Sequence, residues 1–172
     1  MDAPATDASA TDFVTTWRQV VNDPAGFFAT MPETGGLGDP LRFVAIVAGL
    51  DAAGTLVTSP FHPWRAVLVL AALPLGCLLV ATVLTLVTQH LFDGRAGFEP
   101  VFRAVAYGSA PAVVYAIPLV GQMACGYAWY LQVRGIERVQ SLQTLPAVVA
   151  TLVAWAAVWL LGPCLAAPPI GW

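Results

Sequence analysis

Between Ala66 and Leu91 the chain carries no Asp, Glu, Lys or Arg. This run restricts the fold more than any other feature. A helix of about 20 apolar residues crosses the hydrocarbon core of a bilayer. The full run, residues 65–92, is longer than a crossing requires. That predicts tilt, a kink at Pro74–Gly76, or an end projecting into water. Two other runs have spanning length: LRFVAIVAGLDAAGTLVTS at 41–59 and AVVATLVAWAAVWLLGPCLAA at 147–167. Composition points the same way. Apolar residues make up 58% of the chain and charged residues 10%, with a mean hydropathy of +0.75. A soluble domain carries about 25% charged residues, and so few charges cannot cover a water-facing surface. The expected fold class is an all-α integral membrane protein.

All seven basic residues are arginine, and ten acids bring the net charge to -3. That balance excludes nucleic acid as a partner, because phosphate binding needs a basic patch. Asp2, Asp7, Asp12, Asp23, Glu33 and Asp39 all precede the first apolar run. An acidic, lysine-free chain fits a salt-rich cytoplasm such as that of a halophilic archaeon, and equally a GC-rich genome that encodes Arg in place of Lys. Residues 1–10 read as a disordered acidic tail with no signal-peptide pattern. Residues 11–40 read as a cytoplasmic amphipathic segment. In it, Phe13, Val14, Trp17, Val20 and Val21 share one helical face, and Asn22-Asp23-Pro24 ends the helix. Such a helix lies either in the membrane interface, anchored by Trp17, or on the protein's own cytoplasmic face. The stretch 32–40 reads as a loop, with Phe61 and Trp64 of a later loop suited to an aromatic belt. Cys77, Cys125 and Cys164 read as small buried hydrophobes, and His62 and His90 as interfacial residues.

Residues 101–134 break at Pro118 and Gly121 into two short apolar pieces. They form two short spans, a re-entrant hairpin, or one long kinked span. Arginine placement narrows the choice, since cytoplasmic loops are enriched in Arg. With five spans and a cytoplasmic N-terminus, Arg18, Arg42, Arg95, Arg103, Arg134 and Arg138 lie inside and Arg65 alone lies outside. A single span at 101–134 would move Arg134 and Arg138 outside and erase that bias. The chain is therefore expected to enter and leave between Arg103 and Arg134 on the same side. The expected spans are 41–59, 65–92, 101–117, 119–134 and 147–167, with residues 135–146 a polar connection and the C-terminus outside.

Asp51 is the sharpest candidate for chemistry. A carboxylate at membrane depth costs roughly 2.5–3.5 kcal/mol on insertion scales, so it should face the bundle. It either handles protons or cations, or pins one helix to another. No second acid falls inside another span, so no relay is visible. Ala104, Gly108 and Ala112 form a row of small residues that lets helix backbones approach closely. Pro111 and Pro118 interrupt the backbone pattern, and Ser109 can hydrogen-bond a freed carbonyl. Tyr107, Tyr115, Gln122 and Gln132 add polar contacts, lining a cavity or packing helices. No nucleophile set, zinc motif or phosphate loop is present, since GGLG at 35–38 lacks the following lysine. The chain reads as non-enzymatic, with no cofactor and no metal.

The order of DPAGFF, a first span, GRAGFEPVFRAVAYGSAPAVVYAIPLVG and YAWYLQVRGIERVQ resembles the Yip family, the membrane proteins named for interaction with Ypt/Rab GTPases. The resemblance covers about residues 12–167 and is nearest to the prokaryotic branch. Its most specific parts are Phe102-Arg103, Ala106-Tyr107, Ala110-Pro111, Ile117-Pro118, Gly121 and Val133-Arg134-Gly135-Ile136. It implies a Yip-like transmembrane domain over 41–168 with five helices and a cytoplasmic N-terminal segment. Eukaryotic members bind prenylated small GTPases. In a prokaryote that partner is not expected, and no GTPase-binding motif stands in residues 1–40. The expected partners are the lipid bilayer and another membrane protein or a second copy of the chain. The expected role is that of a scaffold or membrane organiser. The alternative is a small transporter or channel using Asp51 and the broken segment 101–134.

Overall fold

The computed structural model describes residues 5–166, and among the described residues it is all helix and connecting turn. In chain order the elements are α1 (Ala5–Asn22), α2 (Pro24–Thr30), α3 (Gly38–Thr58), α4 (Trp64–Leu91), α5 (Phe98–Gly108), a 3₁₀ turn (Ala110–Val114), α6 (Val120–Gln140) and α7 (Thr144–Ala166). Residues 1–4, the Cys164 side chain, the last residue of the expected fifth span and Trp172 lie outside the described residues.

Local chemistry sets the boundaries. The Asp23 N–H closes α1 on the Gln19 carbonyl at 2.9 Å. Its side chain then caps α2 by accepting from the Gly26 N–H at 3.0 Å, with Pro24 in the first turn, where a missing N–H costs nothing. Helix α4 passes through Pro74 as a single element. At 28 residues it is about 42 Å long, well beyond the ~30 Å apolar core. Its threonines satisfy themselves: Thr82, Thr85 and Thr88 donate to the carbonyls of Leu78, Ala81 and Leu84 at 2.8, 2.7 and 2.7 Å. A hydroxyl bonded this way can sit in an apolar helix without an unmet donor.

Helix α5 is the spine of the bundle. Every residue from Val101 to Ala112 is buried, enclosed by α1, α3, α4 and α6. It pairs with α6 in antiparallel fashion along the row of small residues. A Cβ on Gly135 would stand 2.8 Å from the Ala104 Cβ, and one on Gly108 would stand 2.7 Å from the Gln132 Cγ. Farther along, a Cβ on Gly121 would strike the Tyr115 carbonyl. Backbones can approach this closely only where side chains are absent. Arg103 and Arg134 therefore lie at the same end of the bundle. One long kinked span across 101–134 is excluded.

Several expectations need correction. The third segment is no continuous α-helix: α5 is 11 residues, about 16 Å, and passes into the 3₁₀ turn. Pro111 has no N–H with which to continue the α-helical ladder, and the Ser109 hydroxyl donates to the Ala106 carbonyl at 2.6 Å. The fourth segment runs six residues past Arg134, to Gln140, so most of the expected connection 135–146 is helical. Glu137 and Arg138 made it look like a loop. Yet Gln132, Ile136, Val139 and Gln140 form a buried face. Residues 5–10, expected as part of a disordered tail, belong to α1. Cys77 is buried as expected, but Cys125 is exposed.

Candidate functional site

Two places concentrate polar side chains inside the bundle. The first is a cavity of about 260 Å³ where α3, α4, α5, α6 and α7 converge. Its lining is almost wholly apolar apart from Asp51, Ser109, Tyr115, Gln132 and the ring N–H of Trp155. Asp51 is 5% exposed, and its Oδ1 has no hydrogen-bond partner. The backbone of Ala116 lies beside this carboxyl. Gln132 accepts from the Trp155 Nε1–H at 2.9 Å. Chemically, the cavity offers one carboxyl group, with one buried oxygen unpartnered, inside an apolar wall. Among the described residues no three His, Cys, Asp or Glu side chains come together.

The second place is the arginine-rich end. Arg103 is 3% exposed, and its Nη2 donates to the Gly36 carbonyl at 2.7 Å. Glu99 stands 3.5 Å from the same nitrogen and accepts the Gly36 N–H at 2.6 Å. One ion pair on α5 thus holds both the N–H and the carbonyl of a single residue, Gly36, in the loop before α3. Gly35 and Gly36 make this possible, with φ of 131° and 84°. A Cβ on Gly35 would lie 2.9 Å from the guanidinium. Beside this clamp, Gln140 donates to Thr88 Oγ1 at 2.8 Å and accepts the Ala96 N–H at 3.0 Å. That joins the ends of α4 and α6 to the loop between α4 and α5.

The N-terminal helices lie across this frame. Trp17 Nε1 donates to the Ala110 carbonyl at 2.8 Å, and the Tyr127 hydroxyl donates to the Val21 carbonyl at 2.7 Å. Phe13 meets Phe43, and Phe43 and Phe27 both pack edge-on against Tyr107, each with ring centroids 5.1 Å apart. Of the two readings of this segment, the contacts place its apolar face on the protein's own bundle.

The residues singled out from the sequence do not form one site. Asp51 lines the cavity, whereas Arg103 belongs to the loop clamp and Tyr107 to the aromatic cluster. Pro111 is buried in the 3₁₀ turn, Pro118 is exposed in the reversal that follows, and Gly121 abuts Tyr115. Arg134 pairs with Glu137 at 2.8 Å, while Gly135 sits between Ala104 and Phe28. Sequence reading missed the Glu99–Gly36 contact and the Gln140 bridge. The adjacent glycines were a visible sign of a constrained turn, but nothing pointed to its partner.

Large apolar side chains project outward along the helices, among them Leu50 and Leu56 on α3, Leu68 and Leu75 on α4, and Leu152 on α7. Helices α3 and α4 are long and apolar enough to cross a membrane, and only 28% and 22% of their most apolar windows are buried. An apolar exterior around buried polar groups is the pattern of a helical membrane protein. The Yip1 domain model matches residues 18–165. The chain therefore belongs to the Yip1 domain family. No curated protein matches it, and no solved structure does.

Proposed function

We propose that the chain is a multi-pass membrane protein that works as a non-enzymatic scaffold or membrane organiser. The five crossings in this reading are α3, α4, α5 with its 3₁₀ turn, α6 and α7. The N-terminus and the arginine-rich end face the cytoplasm, and the C-terminus lies outside. The observation that carries the reading is the buried α5. The axis of the bundle is filled by a helix, where a channel would need a lumen. Helix α1, packed on this bundle, presents an exposed face to partners. Residues 11–40 and 41–168 act as one unit in this account, since the N-terminal helices are bonded to the bundle. The resemblance is nearest to the prokaryotic branch, and the composition fits a salt-adapted source or a GC-rich genome equally, so a Rab-type GTPase is not the proposed partner. A second membrane protein or a second copy of the chain is.

Gln19 is exposed on α1. A crosslinker carried at Gln19→Cys in native membranes should capture a discrete protein adduct. Capture of lipid alone would count decisively against the scaffold. The second reading, a transporter, is favoured by the unpartnered, buried oxygen of Asp51. It requires that Asp51→Asn abolish a flux in proteoliposomes while the protein stays folded. If the variant only loses stability, Asp51 is a packing residue.

A further inference from the structure

We propose that the cavity beside Asp51 is a binding site for a small organic ammonium ion with an apolar body, entered from the lipid. The inference concerns the site of the transport reading but does not need transport. Its basis is a buried carboxyl oxygen left without a hydrogen-bond partner beside an apolar cavity. The Ser109 hydroxyl spends its proton on the Ala106 carbonyl, and the Trp155 ring N–H is spent on Gln132. The carboxylate oxygen Oδ1 of Asp51 remains without a donor, although it is sealed from solvent. A buried acceptor of this kind calls for a donor, and a buried carboxylate calls for a cation.

The wall decides which cation. Hard metal ions require about six oxygen ligands, and this cavity supplies far fewer. An alkylammonium brings its own three donors and an apolar body that suits the aliphatic lining. The volume of about 260 Å³ restricts the ligand to a small one. Entry lies on the α4 side. Ala72 is exposed, and a Cβ placed on Gly76 would meet nothing within 4 Å. Leu75, beside Gly76, is 63% exposed on the outer surface. The opening thus faces the bilayer, where an amphiphilic amine concentrates.

The test is calorimetric titration of the full chain in nanodiscs of zwitterionic lipid, corrected with empty discs. Phenethylamine is compared with 2-phenylethanol, which has the same carbon skeleton and no charge. The amine should bind at least about tenfold more tightly than the alcohol, the difference expected of a charge-assisted contact. Asp51→Asn should erase that difference, and Gly76→Leu, which fills the opening, should abolish binding of both. Equal affinity for amine and alcohol, no binding of either, or discrimination that survives Asp51→Asn would each overturn the proposal. So would competition by millimolar sodium or potassium, which would make this an inorganic cation site. Should Asp51→Asn fail to fold, the amine–alcohol ratio and Gly76→Leu decide. Amine-selective binding without flux removes the transport reading and leaves the site standing. Flux without amine selectivity does the reverse.

Discussion

Replacing Gly135 with alanine should destabilise the protein, although alanine is the better helix former. The reason lies across the seam between α5 and α6. The new methyl would begin 2.8 Å from the Ala104 Cβ and 3.1 Å from the Phe28 ring. Carbon atoms pack at about 3.5–4.0 Å, so the helices must separate by roughly 0.7–1.2 Å. Overpacking of that kind costs about 1–3 kcal/mol. Against it stands a gain of about 1 kcal/mol in helix propensity. Gly126 provides the control, because it lies on the same helix and a Cβ there meets nothing within 4 Å. Gly126→Ala should therefore stabilise by up to about 1 kcal/mol. The difference between the two variants isolates the seam at about 1–3 kcal/mol. The assay is reversible unfolding in mixed micelles, followed by circular dichroism. Combining Gly135→Ala with Ala104→Gly should recover much of the loss. If Gly135→Ala stabilises as much as Gly126→Ala, the close antiparallel pairing of α5 and α6 is wrong.

Other perturbations probe the remaining joints. Trp17→Phe keeps the ring but removes the N–H bonded to Ala110. It should cost about 1 kcal/mol and speed amide exchange throughout α1, measured by mass spectrometry. Gln140→Leu leaves the Ala96 N–H without its acceptor and should cost about 1–3 kcal/mol in the same unfolding assay. An unchanged midpoint would mean that water or a rearranged loop replaces the bridge. Leu119 is 76% exposed and adopts a φ of 67°, which is disfavoured for any side chain with a Cβ. Leu119→Gly should therefore stabilise by about 1 kcal/mol.

How much of this was legible in the sequence depended on whether a feature is local. The long helices were, because an uninterrupted apolar run such as 66–91 has no other stable outcome. The same-side return between Arg103 and Arg134 was legible too, from arginine placement, and the Gly135–Ala104 contact agrees with it. The role of the small-residue row followed from its spacing, since Gly108 does meet Gln132 closely. The extension of α6 was hidden because Glu137 and Arg138 look like loop residues, while their neighbours Ile136 and Val139 are buried. The clamp on Gly36 was hidden for a different reason. Its partners are 63 and 67 residues away, and no local pattern records such a contact. For Asp51 the sequence showed an isolated acid at depth. The cavity, and the fact that its Oδ1 has no partner, depend on five helices meeting there.

The central claim is that the chain leaves and returns on one side between α5 and α6, within a bundle of five crossings. Single cysteines in a cysteine-free background test it most directly, read with a membrane-impermeant thiol reagent on oriented vesicles. Gly97 and Gln143 are exposed at the ends of this hairpin, and Phe61 is 89% exposed in the turn between α3 and α4. Gly97→Cys and Gln143→Cys should label from the cytoplasmic face, and Phe61→Cys from the opposite face. Labelling of Gly97→Cys and Gln143→Cys from opposite faces would contradict the account.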